Sequence, residues 1–177
     1  MAKNSELIFK AGPPPEGWTI EFVGEIDAAM VTLIERYRAL DPAFDQHYRF
    51  YGAISDKRAY FDLLMQAKAL MMNSRGGEGF SNVYAEAHFC RLFLVTSDVS
   101  GAVDATDNGR SGLIYRRDDT DALRRALAEI PARVTAAYSA PASELHRLNF
   151  IWEYSLDRPE IRRLFRPPVI GNAEAAL

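Results

Sequence analysis

The sequence predicts an α/β domain built on a largely parallel β-sheet of about five strands flanked by helices. Short apolar runs alternate along the chain with segments whose apolar residues recur at helical spacing. Turn-rich stretches separate these runs. This alternation is typical of βαβ units with right-handed crossovers. At 177 residues, the chain is long enough to bury one core.

Five apolar runs are the predicted strands. They are WTIEFV (18–23), HYRFYG (47–52), ALMMN (69–73), RLFLVTS (91–97) and SGLIYRR (111–117). Helical patterns cover residues 26–40 and 118–130, and Ser55 or Asp56 is expected to cap a further helix. If ELIFKAG (6–12) were a strand, its short connection to the next strand would force antiparallel pairing, so a helix is predicted there.

Two parts of the chain are distinguished by composition. Residues 1–130 hold the predicted strands and form the expected domain. Residues 131–177 are mostly helical by pattern and end in a proline-rich stretch, so they are expected to form a helical tail packed on that domain.

Charge and cysteine content exclude several classes of function. The net charge of −3 gives no electrostatic basis for binding nucleic acid. Cys90, the single cysteine, cannot form an internal disulfide, which favours a reducing cytoplasm. The sequence contains no membrane span and no signal-peptide pattern. The three histidines lack metal-ligand spacing.

The stretch SRGGEGFSNVYAEAHF (74–89) carries the strongest chemical signal. Its three glycines let the chain turn after a strand, and Ser81 or a neighbour is expected to cap the helix that follows. In a parallel sheet this helix N-terminus lies at the carboxyl edge, where anions and other ligands bind. Glu78 and Glu86 bracket the junction. A nucleotide-sugar, which has a diphosphate with hydroxyl groups on both sides, could bind the helix N-terminus and both glutamates. A glycine-rich turn near glutamates also arises for folding reasons alone.

The helix in this stretch has a predicted buried face. Phe80, Val83, Tyr84 and Ala87 recur at i, i+3, i+4 and i+7. Glu86 lies off this stripe and is therefore expected to be partly exposed beside an open cleft.

Three segments together resemble the C-terminal domain of GT-B glycosyltransferases, in particular glycosyltransferase family 4 (group 1). The segments are NSRGGEGFSNVYAEA, TSDVSGAVDATDNGRSGLIY and RRDDTDALRRALAEI. The family pattern has a strand ending in Ser, then Glu-Gly-Phe, with a second Glu eight residues after the first. The resemblance covers residues 3–130, and it implies that 1–130 is a Rossmann-like nucleotide-sugar-binding domain.

The resemblance also implies roles for individual residues. Glu78 would be the catalytic residue that touches the hydroxyls of the donor sugar, and Glu86 would hold the ribose. Lys3 stands where a family lysine contacts the diphosphate. The backbone N–H groups expected to face the sugar and the diphosphate belong to Gly79, Phe80, Ser81 and Asn82.

The activity implied by the resemblance is transfer of a hexose, with retention, from a nucleotide-diphosphate sugar to a glycan or lipid, as in polysaccharide biosynthesis. No metal and no other cofactor are expected. The implied location is the cytoplasm or the periphery of the inner face of the membrane. A degenerate, non-catalytic α/β module that binds a partner chain is the alternative. A receiver-like or flavodoxin-like domain would share the sheet without explaining the paired glutamates.

The sequence departs from the family pattern in several places. Cys90-Arg91-Leu92 replaces the family's Gly-x-Pro, Ser100-Gly101 replaces a double glycine, and one extra residue separates Ser74 from Glu78. The family's first strand and its N-terminal domain would precede Lys3. We therefore expect an incomplete enzyme whose partner is that N-terminal domain, a separate acceptor-binding subunit or a second copy of this chain.

Overall fold

The computed structural model describes residues 4–76 and 81–139, which contain five β-strands and seven helices. The strands are β1 (Ile20–Val23), β2 (Tyr48–Gly52), β3 (Ala69–Met72), β4 (Phe93–Ser97) and β5 (Gly112–Tyr115). The helices are α1 (Ser5–Ala11), α2 (Ala28–Leu40), α3 (Phe44–His47), α4 (Lys57–Gln66), α5 (Asn82–Phe89), α6 (Ala102–Ala105) and α7 (Thr120–Ser139).

Every strand pairing in this part of the chain is parallel, which confirms the predicted α/β fold class. The five strands nevertheless divide between two sheets, with β1 paired to β2 and β3–β4–β5 paired in that order. A single sheet was expected. The described residues contain no strand that bridges β1 and β3, so the hydrogen-bonded ladder is interrupted there.

The apolar residues of β3 and β4 alternate between two cores because successive strand residues point to opposite faces. Met71 and Val95 belong to a larger core, which also receives α1, α2, α7 and the β1–β2 sheet. Leu70 and Leu94 belong to a smaller core with α4 and α5. The three-stranded sheet is therefore covered on both faces, as expected of parallel strands in an α/β domain.

Helix α1 anchors the β1–β2 sheet through one aromatic side chain. Phe9 is 5% exposed, and its ring centroid lies 5.1–5.4 Å from those of Phe22, Tyr37, Phe44 and Tyr48. Tilted and edge-to-face arrangements of this kind add to the stabilisation from buried apolar area. The preference for a helix at residues 6–12 is thus confirmed.

Side-chain caps begin four of the helices, including α7, where Asp119 Oδ1 accepts from the Ala122 N–H at 2.8 Å. Asp27 Oδ1 accepts a hydrogen bond from the Met30 N–H at 2.8 Å, at the start of α2. Asp56 caps α4 and Ser81 caps α5, as the sequence predicted. Each cap satisfies a backbone N–H that the first helical turn leaves without a partner.

Helix α7 crosses the domain boundary expected after Ile130. Pro131 cannot donate a backbone hydrogen bond, yet the helix continues to Ser139. It continues because its buried stripe extends past the proline, so packing outweighs the missing bond. The buried residues of this stripe are Leu123, Ala126, Leu127, Ile130 and Val134. The rest of the predicted tail, from residue 140, lies outside the described residues.

Candidate functional site

The carboxyl ends of β3, β4 and β5 meet at one edge of the three-stranded sheet. Met72 pairs with Thr96 and Ser97 pairs with Tyr115, so the strands end almost level. The glycine-rich loop leaves from the end of β3. In open α/β sheets this edge is the usual ligand-binding position.

A buried polar network holds this edge in place. The Tyr115 hydroxyl donates to Asn73 Oδ1 at 2.8 Å, and the Asn73 side-chain amide donates to the carbonyl of Asn4. Ser97 Oγ donates to the carbonyl of Ser74 at 2.7 Å. Burial raises the pKa of the Tyr115 phenol, which therefore stays protonated and keeps donating. The network fixes the start of the glycine-rich loop to the neighbouring strands.

Two arginines gather beside this loop. Arg75 Nε lies 2.9 Å from Asp118 Oδ1, and Arg117 Nε lies 3.5 Å from Asp98 Oδ1. Arg117 Nη1 also donates to the carbonyl of Arg75 at 3.2 Å. The two arginine side chains are 57% and 48% exposed, so both guanidinium groups are open to a ligand.

Gly76 permits the close approach of the loop to Arg117. Its φ is +124°, in the region that favours glycine, and a Cβ there would lie 3.2 Å from Arg117 Nη1. A larger residue would strain the backbone and press on the guanidinium group.

Helix α5 begins after the loop and is anchored to β4. Ser81 Oγ accepts from the Val83 N–H at 3.3 Å. Tyr84 is fully buried, and its hydroxyl lies 2.7 Å from Thr96 Oγ1 on β4. This fixed helix N-terminus carries a positive dipole end.

The family model described as "Glycosyl transferases group 1" matches residues 3–132. The chain belongs to the group 1 glycosyltransferases. The matched range takes in both arginines, the glycine-rich loop and α5, so the site just described lies within the family domain.

Solved structures support the fold of this glycosyltransferase chain. Anabaena Alr3699/HepE in complex with UDP has a TM-score of 0.62 at 19% identity, over 88% of this chain and 45% of that one. The lipopolysaccharide outer core galactosyltransferase WaaB has a TM-score of 0.58 at 20% identity, over 87% and 46%. A glycosyltransferase from Rickettsia africae has a TM-score of 0.55 at 14% identity, over 89% and 45%.

At 14–20% sequence identity, these structures provide evidence for the fold alone. The group 1 chain spans less than half the length of each of them. No curated protein matches it in sequence. The resemblance to the C-terminal domain of GT-B glycosyltransferases, inferred from the motifs, is confirmed by the family match and by these structures.

The structure locates some of the residues singled out in the glycosyltransferase motif. Ser81 and Asn82 stand at the start of α5, and Glu86 lies further along the same helix. The other four lie outside the described residues, and their roles stay predictions. These four are Lys3, Glu78, Gly79 and Phe80.

Glu86 is half-buried and has a partner that the sequence did not reveal. Its Oε2 accepts a hydrogen bond from the Tyr60 hydroxyl on α4 at 2.6 Å. Burial, and then this bond, raise the pKa of the Tyr60 phenol, so Tyr60 remains the donor. Within 4–76 and 81–139, Glu86 forms no salt bridge and its Oε1 makes no hydrogen bond. That oxygen can accept a bond from a ligand.

Arg75 and Arg117 are the site residues that the sequence analysis missed in this glycosyltransferase. A usable signal existed, because Arg75 follows the predicted strand 69–73 by two residues and Arg117 is the last residue of the predicted strand 111–117. Cys90 has no comparable role: burial raises its pKa to about 11, and it packs against the smaller core. In the described ranges, no group of three His, Cys, Asp or Glu residues could hold a metal ion. No helix there is long and apolar enough to cross a membrane.

Val83→Ala should lower the free energy of unfolding by about 1 kcal/mol, because Val83 packs half-buried against the smaller core. Nucleotide affinity should stay unchanged, since the side chain packs on the core and offers no polar group to a ligand. Thermal or urea unfolding, with calorimetric titration of UDP, measures both quantities. Val103→Ala is the matched control, because Val103 is 54% exposed and should leave stability as it is.

Proposed function

We propose that this chain is the donor-binding domain of a retaining glycosyltransferase, which transfers a hexose from a nucleotide-diphosphate sugar to a glycan or lipid acceptor. The observation that carries the proposal is the pair Arg75 and Arg117 at the end of the three-stranded sheet, where Arg117 Nη1 donates to the carbonyl of Arg75. Retention, acceptor class, participation in polysaccharide biosynthesis and a cytoplasmic or inner-membrane-face location follow from the resemblance. The proposal includes no metal.

A diphosphate fits the charges at this edge. The arginines pair with Asp98 and Asp118 on the surface, and exposed pairs of this kind contribute only about 0–1 kcal/mol. A diphosphate offers more negative charge and several acceptor oxygens, which suit the guanidinium fork. A diphosphate can therefore replace Asp98 and Asp118 as the partner of the two arginines with little loss of free energy.

The nucleoside would lie towards Glu86. A ribose hydroxyl can donate to Glu86 Oε1, while Tyr60 holds the carboxylate through Oε2. Tyr60 is in this scheme a positioning residue, because it acts through Glu86. The structure of Anabaena HepE in complex with UDP supports the choice of UDP as the first ligand to try.

The chemical contribution of these residues is electrostatic. As the bond between the anomeric carbon and the diphosphate breaks, negative charge grows on the leaving oxygens. Arg75, Arg117 and the N–H groups at the start of α5 would stabilise that charge. Glu78, by the resemblance, would orient the hydroxyl groups of the donor sugar.

Calorimetric titration of the 177-residue chain with UDP, GDP and ADP tests the proposal. Binding of one nucleotide with a 1:1 stoichiometry is the expected result. If none of the three binds at millimolar concentration, the donor-site assignment fails and the non-catalytic module becomes the better description.

Arg117→Ala should weaken nucleotide binding about tenfold or more, since a hydrogen bond to a charged group contributes about 1.5–3 kcal/mol. The same calorimetric titration gives the ratio of the dissociation constants. Arg38→Ala is the matched control. Arg38 also pairs with an aspartate, Asp45, at 2.7 Å, but it lies near the start of β2, at the amino edge of its sheet. Equal losses in the two variants would mean that net charge, not the site, governs binding.

A further inference from the structure

The two aspartates that pair with the site arginines are also held by neutral donors. Asp98 Oδ1 accepts a hydrogen bond from the backbone N–H of Arg117 at 2.9 Å, and it lies 3.5 Å from the guanidinium Nε of the same residue. Asp118 Oδ1 accepts from the Asn4 side-chain amide at 2.7 Å and from Arg75 Nε at 2.9 Å. Each carboxylate therefore keeps one hydrogen bond if its arginine turns away.

The backbone around Asp118 fixes its carboxylate in place. Its φ is +57°, in the left-handed region that Asp and Asn adopt more readily than most residues. Asn4 precedes α1 as its N-cap, yet its side chain makes no capping bond and holds Asp118 instead. Asn4 is itself tied to the end of β3, because its carbonyl accepts from the Asn73 side-chain amide. The carboxylate is thus anchored, whereas the longer arginine side chain beside it can change partner.

The two ion pairs are weak enough to exchange. The four side chains of these pairs are between 46% and 57% exposed, so water reaches both pairs. An ion pair as exposed as these changes an equilibrium constant by at most about fivefold. Each arginine therefore has two alternative partners of similar strength, an anchored carboxylate and a ligand phosphate.

We propose that Asp98 and Asp118 compete with a bound nucleoside diphosphate for Arg117 and Arg75, and that this competition speeds release of the diphosphate. The inference rests on the proposed function, because it takes the two arginines as the diphosphate site. In the complex the guanidinium groups turn to phosphate oxygens, while the carboxylates retain the Arg117 N–H and the Asn4 amide. Their negative charge beside the diphosphate lowers its affinity below what the arginines alone would give.

Release of the nucleoside diphosphate concerns the reaction because this molecule is the product that remains after sugar transfer. Its terminal phosphate carries a second negative charge that the sugar ester of the donor lacks, since the second ionisation of a phosphate has a pKa of about 6. Arginines therefore hold the product more strongly than they hold the donor, and product release limits turnover in many enzymes. Two carboxylates that pair again with the arginines oppose this difference.

The test compares the full 177-residue chain with Asp98→Asn and Asp118→Asn by calorimetric titration with UDP, GDP and ADP. Asparagine keeps an oxygen that accepts from the same neutral donor, and it tolerates the left-handed backbone at position 118, so both variants should fold. Each substitution should tighten binding of the preferred nucleotide about fivefold. A stopped-flow chase of a fluorescent analogue of that nucleotide should show dissociation slowed by a similar factor.

Two controls separate this competition from simpler effects. Asp45→Asn removes the same charge from an exposed aspartate that pairs with Arg38 at 2.7 Å, and it should leave nucleotide affinity unchanged. In an Arg117→Ala background, Asp98→Asn should change the affinity less than twofold, because the aspartate acts through that arginine. Circular dichroism and thermal unfolding check that every variant is folded.

Two results would overturn this inference and leave the proposed function standing. The first is a parent chain that binds nucleotide while Asp98→Asn and Asp118→Asn bind it equally or more weakly, since the aspartates would then orient the arginines. The second is an equal gain in Asp45→Asn, which would assign the effect to net charge. If neither the parent chain nor any variant binds a nucleotide at millimolar concentration, the inference and the proposed function both fail.

Discussion

Residues 1–177 expressed alone should transfer no measurable sugar from a nucleotide-diphosphate sugar to a glycan or lipid. The two arginine side chains are about half exposed, so water would screen the charge on the leaving diphosphate. In the resembled fold the N-terminal domain holds the acceptor near the anomeric carbon, and losing that proximity would be worth about 7–11 kcal/mol. A radiolabelled transfer assay, with UDP-glucose as the first donor, measures this outcome.

The control for that assay is nucleotide binding by the same preparation. A chain that binds UDP and transfers nothing would match the expectation, because donor binding and acceptor positioning are then separate tasks. Turnover by a folded monomer would show that these residues suffice for catalysis. In that case the separation of donor binding from acceptor positioning would be wrong.

Glu86→Ala should weaken nucleotide binding by about 1.5–3 kcal/mol, or roughly 10–150-fold, through loss of a charge-assisted bond to the ribose. Calorimetry measures the affinity, and circular dichroism reports whether the fold is intact. Alanine also leaves the Tyr60 hydroxyl without its acceptor, so some loss of stability is expected from this variant.

Two further variants separate binding from stability. Glu86→Gln keeps an acceptor for Tyr60 but removes the charge, so it should weaken binding with little change in melting temperature. Tyr60→Phe should lower the affinity only by loosening Glu86, and less than Glu86→Ala does. If both Glu86 variants bind nucleotide as well as the parent chain does, the ribose assignment is incorrect.

Local patterns predicted the elements well because their causes are local. The apolar runs at the five strands, the caps Asp56 and Ser81, and the helix at residues 6–12 all follow from spacing and side-chain chemistry. Helix α7 extends beyond the pattern assigned to residues 118–130, because its buried stripe continues past Pro131.

The contacts that build the candidate site were harder to predict because they depend on strand order. Arg75 and Arg117 are 42 residues apart, and they meet because β3, β4 and β5 end at one edge. Tyr60 and Glu86 are 26 residues apart on different helices. No spacing rule joins such positions. The family motif supplied Glu86 but gave no reason to expect its tyrosine partner.

Docking of α1 against α7 has a consequence for synthesis on the ribosome. Arg124 Nε donates to the carbonyl of Ala11 at 3.0 Å, and 113 positions separate the two residues. At about 5–20 residues per second, roughly 6–23 s pass between translation of the first helix and arrival of its last partner. The apolar side of α1 remains incompletely covered for that time, so the nascent chain exposes an apolar surface that a chaperone can bind.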